Sequence, residues 1–439
     1  MQELSIYTLS LGCPKNLVDT EKLLGRLKQF YRPAQKLEDA HIVLVNTCSF
    51  IQPAVEESID YILALAQDIK ALSQKPKLVV TGCLVSRYGE ELKWELPEVD
   101  LWVELGEQIY FPQILQQELG LAAFEHTVAE NNCHSPRVIS TSLSYSYLKI
   151  SEGCPHNCNF CLIPGIRGGL QSCGVKELQK EAEYLLSSGV KELSLVAQDV
   201  TSYGKDLGRK NALQELLQEI VQIDKEFWLR LMYLYPVGIT SEFLSFLATL
   251  GPKFKPYFDI PLQHAHPEIL SSMGRPFARN PEKVVSTIRK HFPRASIRTT
   301  FIVGFPGETD KHFQALLDFV RETRFDHVGV FTFYPEEGTK AAERTDQVKE
   351  EVKNSRREEL LNLQADISAE IMSKHVGEWQ EVLIDRKDPE WPTLYQGRTW
   401  FQAPEIDGIT YVGCEDCKPG DLVWAKIQES KIYDLTALT

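Results

Sequence analysis

Six of the ten cysteines fall into two sets of three, and such sets do their chemistry as metal ligands. Cys13, Cys48 and Cys83 each close a short apolar run: Leu4 to Leu11 leads into Gly12-Cys13, Ile42 to Thr47 into Cys48, and Leu78 to Gly82 into Cys83. Successive members are 35 residues apart both times. The second set, Cys154, Cys158 and Cys161, stands in a single stretch, C-P-H-N-C-N-F-C. Soft thiolates in threes fit two iron-sulfur clusters, each lacking one protein ligand. A four-iron cluster on three thiolates keeps one iron open to an exogenous ligand, and no fourth cysteine sits at ferredoxin spacing, so simple electron transfer is the weaker reading. His156 lies inside the second stretch and leaves a three-cysteine, one-histidine zinc site as the alternative there. For the first set the alternative is three buried core thiols.

The spacing also states what must position these groups. Thirty-five residues accommodate one strand and one return helix, at roughly 3.3 Å and 1.5 Å per residue. Cys13, Cys48 and Cys83 are therefore expected at the carboxyl ends of three parallel strands, where doubly wound sheets gather ligands. Leu17, Leu23, Leu24, Leu27 and Phe30 recur at helical spacing after Cys13, and Pro53 opens a second helix carrying Val55, Ile59, Ile62, Leu63, Ala66 and Ile69. A short helix after Cys83 and a strand at Val99 to Val103 complete an α/β domain over residues 1–123. Residues 124–144 are polar and aperiodic and read as a linker.

From 145 to 344 a strand-and-helix pattern repeats six times. Strands are expected at Tyr147 to Ile150, Glu192 to Ala197, Trp228 to Leu234, Tyr257 to Ile260, Ile297 to Val303 and His327 to Phe333, with helices starting near Val175, Asn211, Thr240, Asn280 and Thr309. That alternation implies a parallel sheet with right-handed crossovers. Six units fall short of eight, so an open partial (β/α)6 barrel is expected. Residues 345–374 read as a charged surface helix, and 375–439 as five short strands of a small β-barrel, a common binding module.

The chain is 439 residues long, with 43% hydrophobic and 25% charged residues, which is ordinary for a soluble globular protein. No apolar stretch approaches the roughly 18 residues of a membrane span, and Met1 to Gly12 has neither a basic start nor a cleavage site. The expected compartment is the cytoplasm, where ten cysteines argue for metal chemistry and against a disulfide framework. A net charge of −14 disfavours nonspecific nucleic-acid binding and suits a basic protein partner.

The Cys-x3-Cys-x2-Cys stretch after the first barrel strand resembles the radical S-adenosylmethionine superfamily. The resemblance implies that Cys154, Cys158 and Cys161 hold a [4Fe-4S] cluster whose open iron binds S-adenosylmethionine, with Phe160 near the adenine. Gln198 and Asp199 after the second strand, Gln263 ending the fourth in I-P-L-Q-H, and the turn from Gly304 to Glu308 in F-I-V-G-F-P-G-E-T are similar to the superfamily's cofactor-contact regions. No residue is assigned a proton-transfer or nucleophilic role. With the amino-terminal trio and the β-rich tail added, nearly the whole chain resembles the methylthiotransferases. That implies a second [4Fe-4S] cluster on Cys13, Cys48 and Cys83, facing the first in one cleft, and two S-adenosylmethionine molecules per turnover, one as methyl donor and one as radical source.

Within those enzymes S-L-G-C-P-K-N-L-V-D-T-E (Ser10 to Glu21), Y-L-Y-P-V-G-I-T (Tyr233 to Thr240) and Y-P-E-E-G-T (Tyr334 to Thr339) resemble the branch that modifies the β-carbon of an aspartate in ribosomal protein S-twelve. The alternatives are a transfer-RNA adenosine methylthiotransferase of the N6-isopentenyl or threonylcarbamoyl type and, from another class, a noncatalytic iron-sulfur carrier. The tail from Val376 to Thr439 holds six Lys+Arg against twelve Asp+Glu. It resembles a TRAM domain, and an RNA-gripping module should be basic, so its acidity favours a basic protein ligand. No residue points to a particular sulfur donor or reductant. One departure stands out: Arg167-Gly168 matches the family's R-G, but Ser172 is followed by Cys173 where the family commonly has arginine. Cys133 and Cys173 read as ordinary thiols, and Cys414-x2-Cys417 as a pair without a second pair to complete a zinc site.

Overall fold

The computed structural model describes residues 4–27, 31–120, 136–275, 280–391 and 393–439. Contacts divide the chain into two units: Met1–Ser140 with Glu152–Pro155 and Cys161–Gly169, and Thr141–Ser151 with His156–Phe160 and Leu170–Thr439.

The first unit is built on five parallel strands, β1 (Leu4–Ser10), β2 (Tyr31–Pro33), β3 (Ile42–Thr47), β4 (Lys77–Gly82) and β5 (Leu101–Val103), in the order β2-β1-β3-β4-β5. This is a doubly wound order whose switch point lies between β1 and β3. Every residue of β3 is buried, as a central strand covered on both faces requires. Helices Pro14–Leu27 and Phe111–Leu119 cover one face through Leu23, Leu24, Leu27, Phe111 and Leu115. Gln52–Ala71 and Cys83–Glu95 cover the other through Val55, Ile62, Leu65, Leu84 and Val85. The edge strand β2 was not expected: at three residues it is too short to show a period.

Part of the expected linker is packed rather than spanning. Glu21 on the first helix is fully buried and accepts hydrogen bonds from Arg137 Nε, 2.5 Å, and the Ser140 amide, 2.6 Å. A buried carboxylate demands such partners, and Glu21 draws 137–140 onto the helix. Residues 124–135 lie outside the described residues.

The second unit carries β6 (Ser146–Lys149), the short strand β8 (Gln171–Ser172), β9 (Glu192–Val196), β10 (Trp228–Leu231), β11 (Phe254–Gln263), β12 (Ser296–Val303) and β13 (His327–Thr332), with β7 (Ser151–Glu152) following β6 in the chain. Six strands form one parallel sheet, β6-β9-β10-β11-β12-β13, the open six-unit arrangement expected. Its helices start within one residue of the expected positions, and two of those positions are side-chain caps: Thr240 accepts from the Phe243 amide and Asn280 from the Lys283 amide. The charged segment expected as a surface helix is instead the sixth barrel helix. Glu350–Ser373 packs on β13 and buries Lys353, Arg356, Gln364 and Ser368 alongside Leu360, Ile367 and Met372. Those polar groups meet partners, as when Gln364 Nε2 donates to the Phe325 carbonyl at 2.8 Å and Lys353 Nζ to that of Phe333 at 2.8 Å.

Five strands, β14 (Trp379–Lys387), β15 (Leu394–Thr399), β16 (Thr410–Gly413), β17 (Leu422–Ser430) and β18 (Leu435–Leu438), close a small barrel. It attaches at the amino ends of the sheet strands through buried charges. Glu192 accepts from Arg230 at 2.6 Å and from Arg398 at 2.7 Å, while Tyr257 Oη donates to Asp407 at 2.7 Å. Among the described residues no helix is long and apolar enough to cross a membrane.

Candidate metal centres

Cys13, Cys48 and Cys83 follow β1, β3 and β4, three neighbouring parallel strands. Two glycines make their convergence sterically possible. Gly12 has φ +87° and a Cβ there would stand 2.6 Å from Cys48 Cβ; Gly82 has φ +105° and a Cβ would stand 2.4 Å from Asn46 Oδ1. The G-C pairs read from the sequence thus let each turn close against its neighbour.

Asn16, fully buried, ties the turns together. Its Nδ2 donates to the carbonyls of Leu11 and Thr47, both at 2.9 Å, and its Oδ1 lies 4.0 Å from Cys13 Sγ and 3.9 Å from Cys83 Sγ. Arg167 completes the surround. Its Nε donates to Cys83 Sγ at 3.3 Å, its Nη1 to Asp19 at 3.2 Å and Glu152 at 2.8 Å, and its Nη2 to Asn16 Oδ1. Burial pushes the Cys83 thiol up to about 11 against the pull of Arg167, and also raises Cys48. At Cys13 burial acts the same way, but Lys15 and Arg167 outweigh it and the thiol lies below its usual range. Three thiols beside fixed cations suit an anionic thiolate-ligated centre, since metal binding must displace their protons.

Cys154, Cys158 and Cys161 lie on the loop after β7, and like the first trio they form no disulfide among the described residues. Burial raises the Cys158 thiol, with Arg275 opposing. His156 is engaged on its other side: its Nε2 is 2.7 Å from Asp199 Oδ2 and its ring stacks on Tyr235 at 3.9 Å. Asp199 also accepts from the Thr201 amide at 2.8 Å and from the hydroxyls of Thr201 and Ser202; burial raises its carboxyl, but the bonds from His156, Ser202 and Thr201 outweigh it and hold it below the usual range. Its oxygens are thus engaged within the loop framework. Phe160 packs against Ile269, Met273, Phe305 and Phe333.

Gln198, Gln263 and Gly304 stand at the carboxyl ends of β9, β11 and β12, on one end of the sheet. Gln263 has φ +73° at a register break between β11 and β12, and its Oε1 is buried with no hydrogen-bond partner among the described residues. Such an orphan acceptor fits a ligand's donor, the amino groups of S-adenosylmethionine among them. Gly304 backs onto Lys353, and its amide donates to Glu308 Oε2 at 3.0 Å.

Two thiol expectations need correction. Cys414 and Cys417 are disulfide-bonded, with Cα atoms 6.0 Å apart at the β16 end, and Cys173 is also disulfide-bonded; Cys133 lies outside the described residues. The sequence pattern had named Arg167 without a role and passed over Asp19 and Glu152. Arg167 and Cys83 are 84 positions apart, so no local signal could join them.

Three family descriptions match the chain: uncharacterized protein family UPF0004 over residues 5–104, the radical SAM superfamily over 148–320 and the TRAM domain over 376–439. Proteins named ribosomal protein uS12 methylthiotransferase RimO are similar along the whole chain. That of Nitratidesulfovibrio vulgaris (strain DP4) is 52% identical, covering 99% of this chain and 100% of its own; that of Oleidesulfovibrio alaskensis is 51% identical with the same coverage. That of Lawsonia intracellularis is 49% identical over 99% and 98%. Among solved structures, the radical S-adenosylmethionine methyltransferase TsrM from Kitasatospora setae aligns with a TM-score of 0.57 at 14% identity, covering 90% of this chain and 78% of that one. This last likeness concerns the fold.

Proposed function

The chain belongs to the ribosomal protein uS12 methylthiotransferase family, and from that premise we propose that it transfers a methylthio group to the β-carbon of an aspartate in ribosomal protein uS12. It is a radical S-adenosylmethionine transferase. In our reading Cys154, Cys158 and Cys161 hold one [4Fe-4S] cluster, Cys13, Cys48 and Cys83 hold a second, and two S-adenosylmethionine molecules are used per turnover. Bound there, the first cluster supplies reductive cleavage of S-adenosylmethionine to a 5′-deoxyadenosyl radical, and the second carries the sulfur that reaches the substrate carbon.

The observation that carries the reading is the amino-terminal trio: three buried or half-buried thiols at adjacent strand ends, clamped by Asn16 and faced by the Arg167 guanidinium. The protein's contributions are positional and electrostatic. Asn16 fixes the turns, Arg167 and Lys15 favour thiolates, and His156 with Asp199 orders the radical loop. Phe160, Gln198, Asp199, Gln263 and Gly304 are proposed to line the S-adenosylmethionine site, Gln263 through its unpaired oxygen. Residues 1–123, 145–344 and 375–439 act as sulfur-carrying, radical and substrate-docking parts, joined by 124–144 and the helical segment 345–374. On the small barrel a cavity of about 430 Å³ is lined by Asp388, Glu390, Trp391, Tyr411 and Lys431. Two carboxylates beside two aromatic rings suit a cationic side chain of a basic, cytoplasmic ribosomal protein.

The test offers reconstituted enzyme, reductant, sulfide and S-adenosylmethionine anaerobically to uS12 and, separately, to transfer RNA. Mass analysis should find one methylthio group on uS12. Modification of the RNA alone overturns the proposed substrate, and absence of 5′-deoxyadenosine would return the chain to an iron-sulfur carrier.

A further inference from the structure

We propose that Arg167 is a positioning residue that makes the amino-terminal metal centre and the base of the Cys154–Cys161 loop one mechanical and electrostatic unit. The inference rests on the two-centre reading above and goes further by naming the side chain that ties the first trio to the flanks of the Cys154–Cys161 loop.

Arg167 ends the short helix Ile163–Arg167, six positions after Cys161. Its side chain is 1% exposed. On one side it grips the flanks of the loop: Nη1 donates to Glu152, two residues before Cys154, while the Cys154 amide donates to the carbonyl of Gly168, the residue after Arg167, at 3.2 Å. On the other side it meets the first trio through Cys83 Sγ, Asn16 and Asp19. All of these residues belong to the first unit.

A guanidinium withdrawn from water requires charged partners, and Asp19 and Glu152 supply two. Its planar fork then fixes where the remaining N–H groups point. Nε points at a ligand sulfur, so the same side chain that closes the loop's base also donates to the other centre. Such N–H···S bonds stabilise the thiolate and set the reduction potential of a cluster it ligates. Asn16 relays the constraint, since the oxygen that receives Nη2 belongs to the amide that clamps the Leu11 and Thr47 carbonyls. Lysine keeps the charge but cannot reach several partners at once.

The experiment uses full-length chain carrying C154A, C158A and C161A, so that any iron reports on the first trio. Iron retention is measured against increasing chelator for Arg167, R167K and R167Q, along with the cluster's midpoint potential. Exposed Arg209, changed to Gln, is the control. Retention should weaken about 10- to 100-fold in both Arg167 variants and the potential should shift, with R209Q unchanged. R167K keeps the buried charge and carries the test if R167Q does not fold. In the reciprocal C13A/C48A/C83A chain, R167K should also slow 5′-deoxyadenosine release. Unchanged retention and potential in R167K overturn the inference while leaving the two-centre reading intact. If the first trio binds no iron with Arg167 in place, the two-centre reading falls and the inference with it.

Discussion

Asn16 Nδ2 lies 2.9 Å from the carbonyl oxygen of Thr47, the residue before Cys48. That bond joins the turn holding Cys13 to the strand that delivers Cys48, and a second to Leu11 pins the start of the same turn. The P-K-N stretch that resembles one substrate branch is therefore also a structural clamp. Asn16→Ala leaves two buried carbonyls unpaired and is expected to cost about 2–4 kcal/mol. Thermal unfolding of the apo-protein and iron retention by the amino-terminal centre should both fall; an unchanged melting temperature would remove the clamp from the account.

Gly82 should not tolerate a side chain. Alanine there meets Asn46 Oδ1 at 2.4 Å and the Thr47 backbone at 2.5 Å, in a conformation with φ +105°. Gly82→Ala is expected to destabilise the first unit by more than about 2 kcal/mol and to cost it iron, read by denaturant unfolding and metal analysis. Ala at Gly106, which has no neighbour within 4 Å of a built Cβ, should behave like the wild type.

Gln263 gives a local test of the cofactor site. If its buried oxygen receives a donor of S-adenosylmethionine, Gln263→Ala should weaken binding about 5- to 30-fold with the fold intact. Anaerobic calorimetric titration measures this. Equal affinity in the variant would exclude that contact.

The junction between the barrels should be acid-resistant. Burial alone would raise Glu192, but Arg230 and Arg398 outweigh it and hold its carboxyl at about 2. Because the folded value lies below the unfolded one, near 4.5, the carboxylate's contribution is complete above about pH 4.5 and fades as pH falls toward 2. Glu192→Gln removes the carboxylate that pairs with buried Arg230 and leaves Arg398 with Asp385 alone, and should destabilise the second unit by about 3–5 kcal/mol at neutral pH. Urea unfolding at pH 7 and pH 3 should show the difference between variant and wild type narrowing at the lower pH.

The legible parts of this molecule were those encoded over short stretches. Apolar runs ending in Gly-Cys or Thr-Cys placed Cys13, Cys48 and Cys83 at the ends of neighbouring strands, and the helices expected near Thr240 and Asn280 begin within a residue of those positions. Less legible was whatever depends on distant partners. Arg167 reaches residues 84, 148 and 151 positions away, so its role exists only in the fold. The helix Glu350–Ser373 was read as exposed because its buried face is partly polar, satisfied by carbonyls that no periodicity records. The disulfide between Cys414 and Cys417 was missed for a different reason: the expected compartment argued against it.

We propose that two separate cysteine sets hold two clusters. Iron and acid-labile sulfide per chain, measured after anaerobic reconstitution of the wild type and of the C13A/C48A/C83A and C154A/C158A/C161A chains, test it most directly. Two four-iron centres give about eight irons in the wild type and about four in each variant. Full iron content in the C13A/C48A/C83A chain would contradict the account.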